Sequence, residues 1–510
     1  MSAWLRHAAV TFWGQTLFFM LVAIAARLYI LFAAHGMMDG DEAVLGIQAQ
    51  HILQGERPIY FSGQAYMGSW DAYLAAPLVA LMGPSAWPLH IVTMSESLLL
   101  VPLLGAVAGR LYGWRARIFA MLLAAVPPHY VAVSELRALG GYVETMAIGS
   151  ALLLLALMIA QRWQKGRPTL AQWVLFGFLT GLALWIHVLI VYFPVAIAIW
   201  LAPLAIAHAR QSLHDGARWA RRTVVSAFLT GVALAVGAMP AIIYGLSHNW
   251  SNLKPVLEHP AWLDQLSPLH GAIAAYLVKG VIPRMVGAQF FWHMRGGPVI
   301  VFGLGAIAAI FALAASIWAL LRLIPAHSSL TKGNRWRAIQ GRMSAHWPEL
   351  LPILLIVVVV WIFWRSPNLQ IALAAKNPNK DAAGRYALPV AIGLTLLLAG
   401  FFGAPPSITA RISQMLARTK KPMGTVQNMI VPVLLSLLLF AYAVPYVGSD
   451  NIDAMQSPTT VGMDFPAQHA EMLTYLETHN IHYAWSDHWM SHLVMYLTNG
   501  RVLDCTWAYL

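Results

Sequence analysis

The chain of 510 residues has one cysteine, Cys505, so it can build neither an internal disulfide framework nor a cysteine-based metal centre. Charge is also scarce: Asp, Glu, Lys and Arg make up 10% of residues, whereas soluble domains run near about a quarter. Acid is the scarcer sign, with 20 Asp and Glu against 32 Lys and Arg and a net charge of +12. No HExxH, CxxC, P-loop or dinucleotide fingerprint stands in a fitting context, which sets aside the chemistries those motifs serve.

What is present is apolar. Hydrophobic residues make up 59% of the chain, more than one globular core can hide, so a bilayer must take up the surplus. A span needs roughly 20 apolar residues. Candidate spans fall near residues 10–34, 86–109, 116–133, 143–161, 171–187, 189–208, 224–246, 298–321, 350–364, 386–402 and 428–447. The reading is an all-α polytopic membrane protein of about eleven transmembrane helices. The N-terminal run "MSAWLRHAAVTFWGQTLFFMLVAIAARLYILF" is too long for a signal-peptide core and contains Arg27, so it reads as a retained first span.

The connecting segments set an orientation. With the N-terminus cytoplasmic, "GRLYGWRAR", "QRWQKGR", "HARQSLHDGARWARR", "RLIPAHSSLTKGNRWRAIQGR" and "ARISQMLARTKK" all face the cytoplasm and hold most of the Lys and Arg. Lys and Arg mark the cytoplasmic side of short loops. The basic balance is therefore topological and does not argue for nucleic acid. Three sizeable segments then lie outside: about 35–85, about 247–297, and a tail. The chain divides into a transmembrane unit, 1–447, and an extracytoplasmic tail, 448–510. In the tail "PAQHAEMLTYLETHN" reads as an amphipathic helix and "IHYAWSD" as a strand, a small α/β unit.

Most acid lies in the outer segments. In "MMDGDEAVLGIQAQHILQGE", Val44, Leu45, Ala49, Ile52 and Leu53 repeat at helical spacing, which predicts a short helix lying on the membrane surface. One N-cap needs one carboxylate, yet Asp39, Asp41 and Glu42 are all there. Asp39 suits the cap. Asp41 shares the face of Val44 and Leu45, and a carboxylate at the mouth of a bilayer is costly and often functional. The three acids also offer hard oxygen ligands, which leaves room for a divalent cation without requiring one. Next, "ERPIYFSGQAYMGSWDAYLAAP" gathers Gln64, Tyr66, Trp70, Asp71 and Tyr73 around two glycines. Such a cluster suits either an interfacial aromatic belt or a sugar ring.

In "PPHYVAVSELRALGGYVETMAIG", Arg137 and Glu144 bracket Gly140, Gly141 and Tyr142. Arg137 suits an ion pair with Glu135 or Glu144, or a phosphate, whose geometry matches the guanidinium fork. Arg385, in "KDAAGRYALPVAIG", stands at the outer end of a span as a second phosphate candidate or an interfacial snorkel. His187, in "LALWIHVLI", ends a span, and Glu96, in "MSESLLL", is membrane-embedded and could pair with Arg27.

These residues resemble the GT-C superfamily of integral-membrane glycosyltransferases, in the branch of protein O-mannosyltransferases and aminoarabinose transferases. The resemblance rests on "GDEAVLGIQAQHILQGERPIYFSGQAYMGSWDAYLAAP", "RALGGYVE", "HNW", "GRYALP" and the outer C-terminal tail, and it extends weakly over most of the chain. It implies transfer of a sugar from a polyprenyl-phosphate carrier to an acceptor on the outer face of the membrane, usually with inversion. By carry-over Asp41 is the catalytic base and Glu42 its neighbour in the site, while Arg137 and Arg385 hold the lipid phosphate. Gln64, Tyr66, Tyr142, Glu144 and His187 are the further candidates for substrate contact. No cofactor is required. The implied location is a bacterial-type inner or plasma membrane, with the C-terminus extracytoplasmic. Aminoarabinose transferases carry a Lys-Pro-Pro run where this chain reads "GQAYMGS", so that lysine's phosphate contact, and with it that substrate, does not carry over. The rival reading is a multi-pass transporter or flippase of a lipid-linked precursor, with Arg27, Glu96 and His187 along a path through the membrane.

Overall fold

A computed structural model describes residues 3–212, 216–253, 269–288, 297–323, 346–365, 384–403, 424–455, 465–486 and 488–506. Residues 254–268 and 289–296 of the second outer segment, and the basic stretches 324–345 and 404–423, lie outside these residues.

Helix α1 spans Ala3–Ala33 and α2 spans Gly40–Leu53. A short antiparallel hairpin follows, β1 (Tyr60–Phe61) and β2 (Gln64–Gly68). Helices α3 (Trp70–Met82), α4 (Ala86–Leu98), α5 (Leu100–Tyr112), α6 (Trp114–Ala125), α7 (His129–Leu136), α8 (Tyr142–Gln164) and α9 (Leu170–Ile186) come next. Each of the eleven apolar stretches carries helix. Eight helices among the described residues are long and apolar enough to cross a membrane, or nine if the bent pair α6–α7 is one span. Three more, α3, α9 and Pro389–Gly403, are apolar but shorter. The chain is a multi-pass membrane protein, with eight or nine full-length spans among the described residues where the sequence predicts about eleven.

The α6–α7 pair is bent by 67°. Pro127 and Pro128 lie at the break and contribute no backbone N–H, so the carbonyls ending α6 lose their helical donors. Arg27, reaching across from α1, supplies them: its Nη1 donates to Ala125 O at 3.1 Å and its Nη2 to Ala124 O at 3.3 Å. The same guanidinium is ion-paired with Glu135 on α7. Arg27 therefore pairs with Glu135 and not with Glu96. Both charges are buried, and each answers the other's desolvation.

Close helix approach comes from small residues. "GFLTG" puts Gly177 and Gly181 on one face of α9, against the helix Gly216–Gly237. A Cβ on Gly181 would lie 2.0 Å from Leu234 O, and one on Gly177 2.3 Å from Thr230 O. This is the small-xxx-small packing by which membrane helices associate.

In the tail, helix Phe465–Thr478 leads into β3 (Tyr483–Ser486), which pairs in parallel with β4 (Leu503–Thr506) across helix His488–Leu497. That last helix packs on α2. Gln50 Nε2 donates to Tyr496 O at 2.9 Å, and the buried Tyr496 ring lies where a Cβ on Gly46 would stand, at 2.5 Å. The Tyr496 hydroxyl donates to Ser85 O at 2.9 Å. Hence α2 is not the membrane-surface helix its pattern predicts. Val44, Leu45 and Ala49 are buried in the protein, with α3 on one side and the tail helix on another.

Candidate active site

Asp39 is the N-cap of α2. Its Oδ1 accepts from Glu42 N at 3.1 Å, and Glu42 Oε2 accepts from Asp39 N at 3.0 Å, a reciprocal capping box. Glu42 is fully buried, and its Oε1 faces two further donors, His90 Nε2 on α4 and Ala138 N after α7, each at 2.9 Å. Burial pushes its carboxyl up, but His90, Arg137 and the Ala138 N–H outweigh that and hold it below the usual range. With both oxygens engaged and no exposure, Glu42 fixes the start of α2 and does not reach a substrate. The expectation that it stands in the catalytic site beside Asp41 is corrected to a positioning role.

The capping box leaves Asp41 on the open side. Its carboxyl is 22% exposed and lies 3.7 Å from Arg385 Nη1, itself 21% exposed. Arg137 pairs with Asp39, the residue two before. Two arginines distant in sequence thus meet one helix N-terminus, and both keep an Nε without a partner. Burial, with Glu42 and Asp41 adding to it and Arg137 opposing it, pushes Asp39 up to about 7.

Aromatic rings build the wall behind Arg385. Its guanidinium lies 5.3 Å from the Tyr142 ring centre and 6.0 Å from that of Tyr386, within cation–π range. The Tyr142 ring meets His187 at 4.8 Å, and His187 meets Tyr66 at 6.2 Å. Tyr66 donates to Gln64 Oε1 at 2.6 Å, and burial first, then the nearby Tyr386, pushes its hydroxyl up to about 12. His187 accepts from Leu189 N on Nδ1 and bridges β2 through Met67. Burial and then Arg385 push it down to about 3, so it is a neutral ring at physiological pH.

The turn between α7 and α8 explains "RALGGYVE". Gly140 and Gly141 both have φ of +79°, a left-handed conformation open to glycine. A Cβ on Gly141 would stand 2.7 Å from His187 Cβ. The two glycines let the turn fold flat on His187, so Arg137 emerges on one side and Tyr142 on the other.

The structure thus brings Asp41, Arg137, Arg385, Gln64, Tyr66, Tyr142 and His187 to one region. Glu144 lies elsewhere, with Asp71 and Glu96. Asp39, Asp41 and Glu42 do not form a ligand set, because Asp39 is tied to Arg137 and Glu42 is fully engaged. Three participants were not singled out from sequence. Tyr386 had a readable signal, being adjacent to Arg385. His90 and the Ala138 N–H had none, since each acts through a fold-dependent contact with Glu42. The three residues of the rival transport reading are each engaged separately: Arg27 is held by Glu135, Glu96 accepts from Trp70 Nε1 at 2.9 Å, and His187 sits among aromatic rings.

No protein-family model and no curated protein matches this sequence. Solved structures do. ArnT from Cupriavidus metallidurans bound to undecaprenyl phosphate aligns over 97% of this chain and 86% of its own, at 14% identity and a TM-score of 0.57. Its apo structure aligns over 97% and 90%, with a TM-score of 0.52. The archaeal oligosaccharyltransferase AglB from Archaeoglobus fulgidus, in complex with an inhibitory peptide and a dolichol-phosphate, aligns over 96% of this chain at 12% identity and a TM-score of 0.51. The chain spans 64% of that protein's length. At these identities the shared property is the fold, the GT-C fold that the sequence resemblance implies.

Proposed function

We propose that this chain, having the GT-C fold, is a membrane glycosyltransferase that moves a sugar from a polyprenyl-phosphate carrier to an acceptor on the extracytoplasmic face. The observation that carries the reading is the partly exposed Asp41 carboxyl between two arginine-bearing turns, 3.7 Å from Arg385. At that distance the pair attract without a hydrogen bond, so both groups can still bond to a ligand. A sugar phosphate has a good leaving group, and its departure needs charge neutralisation more than a proton donor. Arg385 and Arg137, with their planar forks, would supply it. The acceptor hydroxyl must lose a proton as it attacks, and Asp41 would receive it. Inversion requires base and phosphate on opposite faces of the sugar, so the donor would enter between Asp41 and Arg385 and separate them. The uncharged surfaces of Tyr66, Tyr142 and His187 would line the sugar's place. The bound carriers named for ArnT and AglB support a lipid-phosphate donor, and the basic segments support a cytoplasmic N-terminus with the site outside.

The test is a panel of polyprenyl-phosphate sugars offered to the purified protein. Wild type consumes one of them. Asp41→Asn should lose transfer by about 10²-fold or more, the scale of a general base, while still binding that carrier lipid. Full transfer by Asp41→Asn overturns the assignment of the base.

A further inference from the structure

Three acids that the proposed reaction does not use lie together away from the start of α2. Asp71 opens α3, Glu96 lies on α4 and Glu144 lies in the first turn of α8. One carboxylate oxygen from each falls within 4.8 Å of the others. Asp71 and Glu144 are 2% and 4% exposed, and Glu96 is half-buried, forming the edge of the group.

Proximity alone would mean little, but the bonding around the group points to a ligand. Both oxygens of Asp71 have no hydrogen-bond partner, nor have Glu96 Oε2 and Glu144 Oε1. The Gly141 N–H approaches Asp71 without meeting hydrogen-bond geometry, and Trp70 Nε1 reaches only Glu96 Oε1. Among the described residues no Lys, Arg or His forms an ion pair with any of the three. Buried carboxylates are ordinarily paired or bound to metal. Arg137, the cation nearest Glu144 in sequence, is engaged by Asp39, and the buried Arg27 by Glu135.

We propose that Asp71, Glu96 and Glu144 bind one divalent cation of the hard, oxygen-seeking class, Mg²⁺, Mn²⁺ or Ca²⁺. Oxygens on a common ion lie no farther apart than about twice the metal–oxygen distance, roughly 4.6–5.2 Å for Ca²⁺ and about 4.0–4.2 Å for Mg²⁺; a spread of 4.8 Å meets the Ca²⁺ limit as it stands, and a smaller ion would draw the carboxylates in by under an ångström. Such an ion takes up the charge of three carboxylates and ties α3, α4 and α8 together just behind the Gly141 turn and β2. It is a centre of its own, not the ligand set that Asp39, Asp41 and Glu42 could have offered. The Glu96 edge is the side from which an ion and its remaining waters would enter.

The experiment uses full-length, detergent-purified protein, stripped with chelator and titrated with Mn²⁺ by electron paramagnetic resonance. Wild type should bind one Mn²⁺ that Mg²⁺ or Ca²⁺ competes away. Asp71→Asn and Glu144→Gln should each weaken binding by at least about tenfold, the scale on which groups around a metal act. Asp41→Asn should bind Mn²⁺ as wild type does. If the two buried variants fail to fold, Glu96→Gln at the edge carries the test, with the same loss expected. Absence of Mn²⁺ binding by wild type at millimolar metal overturns the proposal, and the three acids then share protons. Wild-type affinity in the folded carboxylate variants, or loss of the site in Asp41→Asn, also overturns it.

Discussion

Replacing Glu42 by Gln separates a residue that positions the site from one that takes part in its chemistry. Three hydrogen bonds end on this carboxylate: His90 Nε2 and Ala138 N on Oε1, both at 2.9 Å, and Asp39 N on Oε2 at 3.0 Å. An amide keeps one oxygen. Placing it at Oε1 preserves two bonds and turns the NH₂ toward the Asp39 N–H, two donors facing each other. The opposite placement breaks two bonds, so the first is adopted. One charge-assisted bond is then lost and a buried donor left unmet, a cost of about 1.5–3 kcal/mol. The measurement is the apparent melting midpoint in detergent, together with sugar transfer well below that midpoint. The variant should melt lower, and its remaining transfer should recover on cooling, because Asp41 and both arginines are intact. A variant that melts with wild type yet has no transfer at any temperature would falsify the positioning role and return Glu42 to the reaction itself.

Three further outcomes are expected. His187 has a folded pKa of about 3 against an ordinary 6.5. Its contribution to stability is therefore complete above 6.5 and is lost as pH falls toward 3, by about 2 kcal/mol at pH 5. From about pH 7.5 to 5, His187→Gln should therefore lose less stability than wild type loses, and an equal fall in melting midpoint for the two proteins would show that the ring is not buried neutral. Tyr496→Ala should cost about 3–5 kcal/mol through the cavity left over Gly46, with amide hydrogen exchange rising along α2. Tyr496→Phe, losing only the Ser85 bonds, should cost about 1–2 kcal/mol; equal exchange in all three proteins would sink the idea that the tail seats α2. Finally, Arg385→Lys should weaken binding of undecaprenyl phosphate about tenfold, because an ammonium cannot reproduce the fork or its stacking on Tyr142. Unchanged binding by calorimetry would remove Arg385 from the phosphate site.

Much of the architecture was readable because apolar runs of membrane length admit few structures. The cap was readable as well: Asp39 precedes a periodic helix and has Glu42 three residues on, the signature of a capping box. That Arg137 and Arg385 come near α2 follows from counting spans, which puts their turns at the same end. The environment of α2 was not readable. Val44 and Leu45 show the same spacing whether lipid or protein covers them, and only the fold shows that Tyr496 does so. Arg27 illustrates the same limit. A buried arginine needs an acid, and the sequence pointed to Glu96; only the proline bend puts Glu135 and two orphaned carbonyls within one guanidinium's reach. The grouping of Asp71, Glu96 and Glu144 spans three helices and leaves no trace in local spacing.

The seat of α2 has a consequence for synthesis. Gln50 and Tyr496 are separated by 446 residues, so the helix bearing Asp41 emerges from the ribosome long before the residue that closes over it. A chain truncated ahead of Tyr496 would retain all eleven apolar stretches and could insert in the bilayer, yet its Asp41 helix would lack its outer support. Completion of the last helix is thus the step that distinguishes an inserted chain from an assembled one.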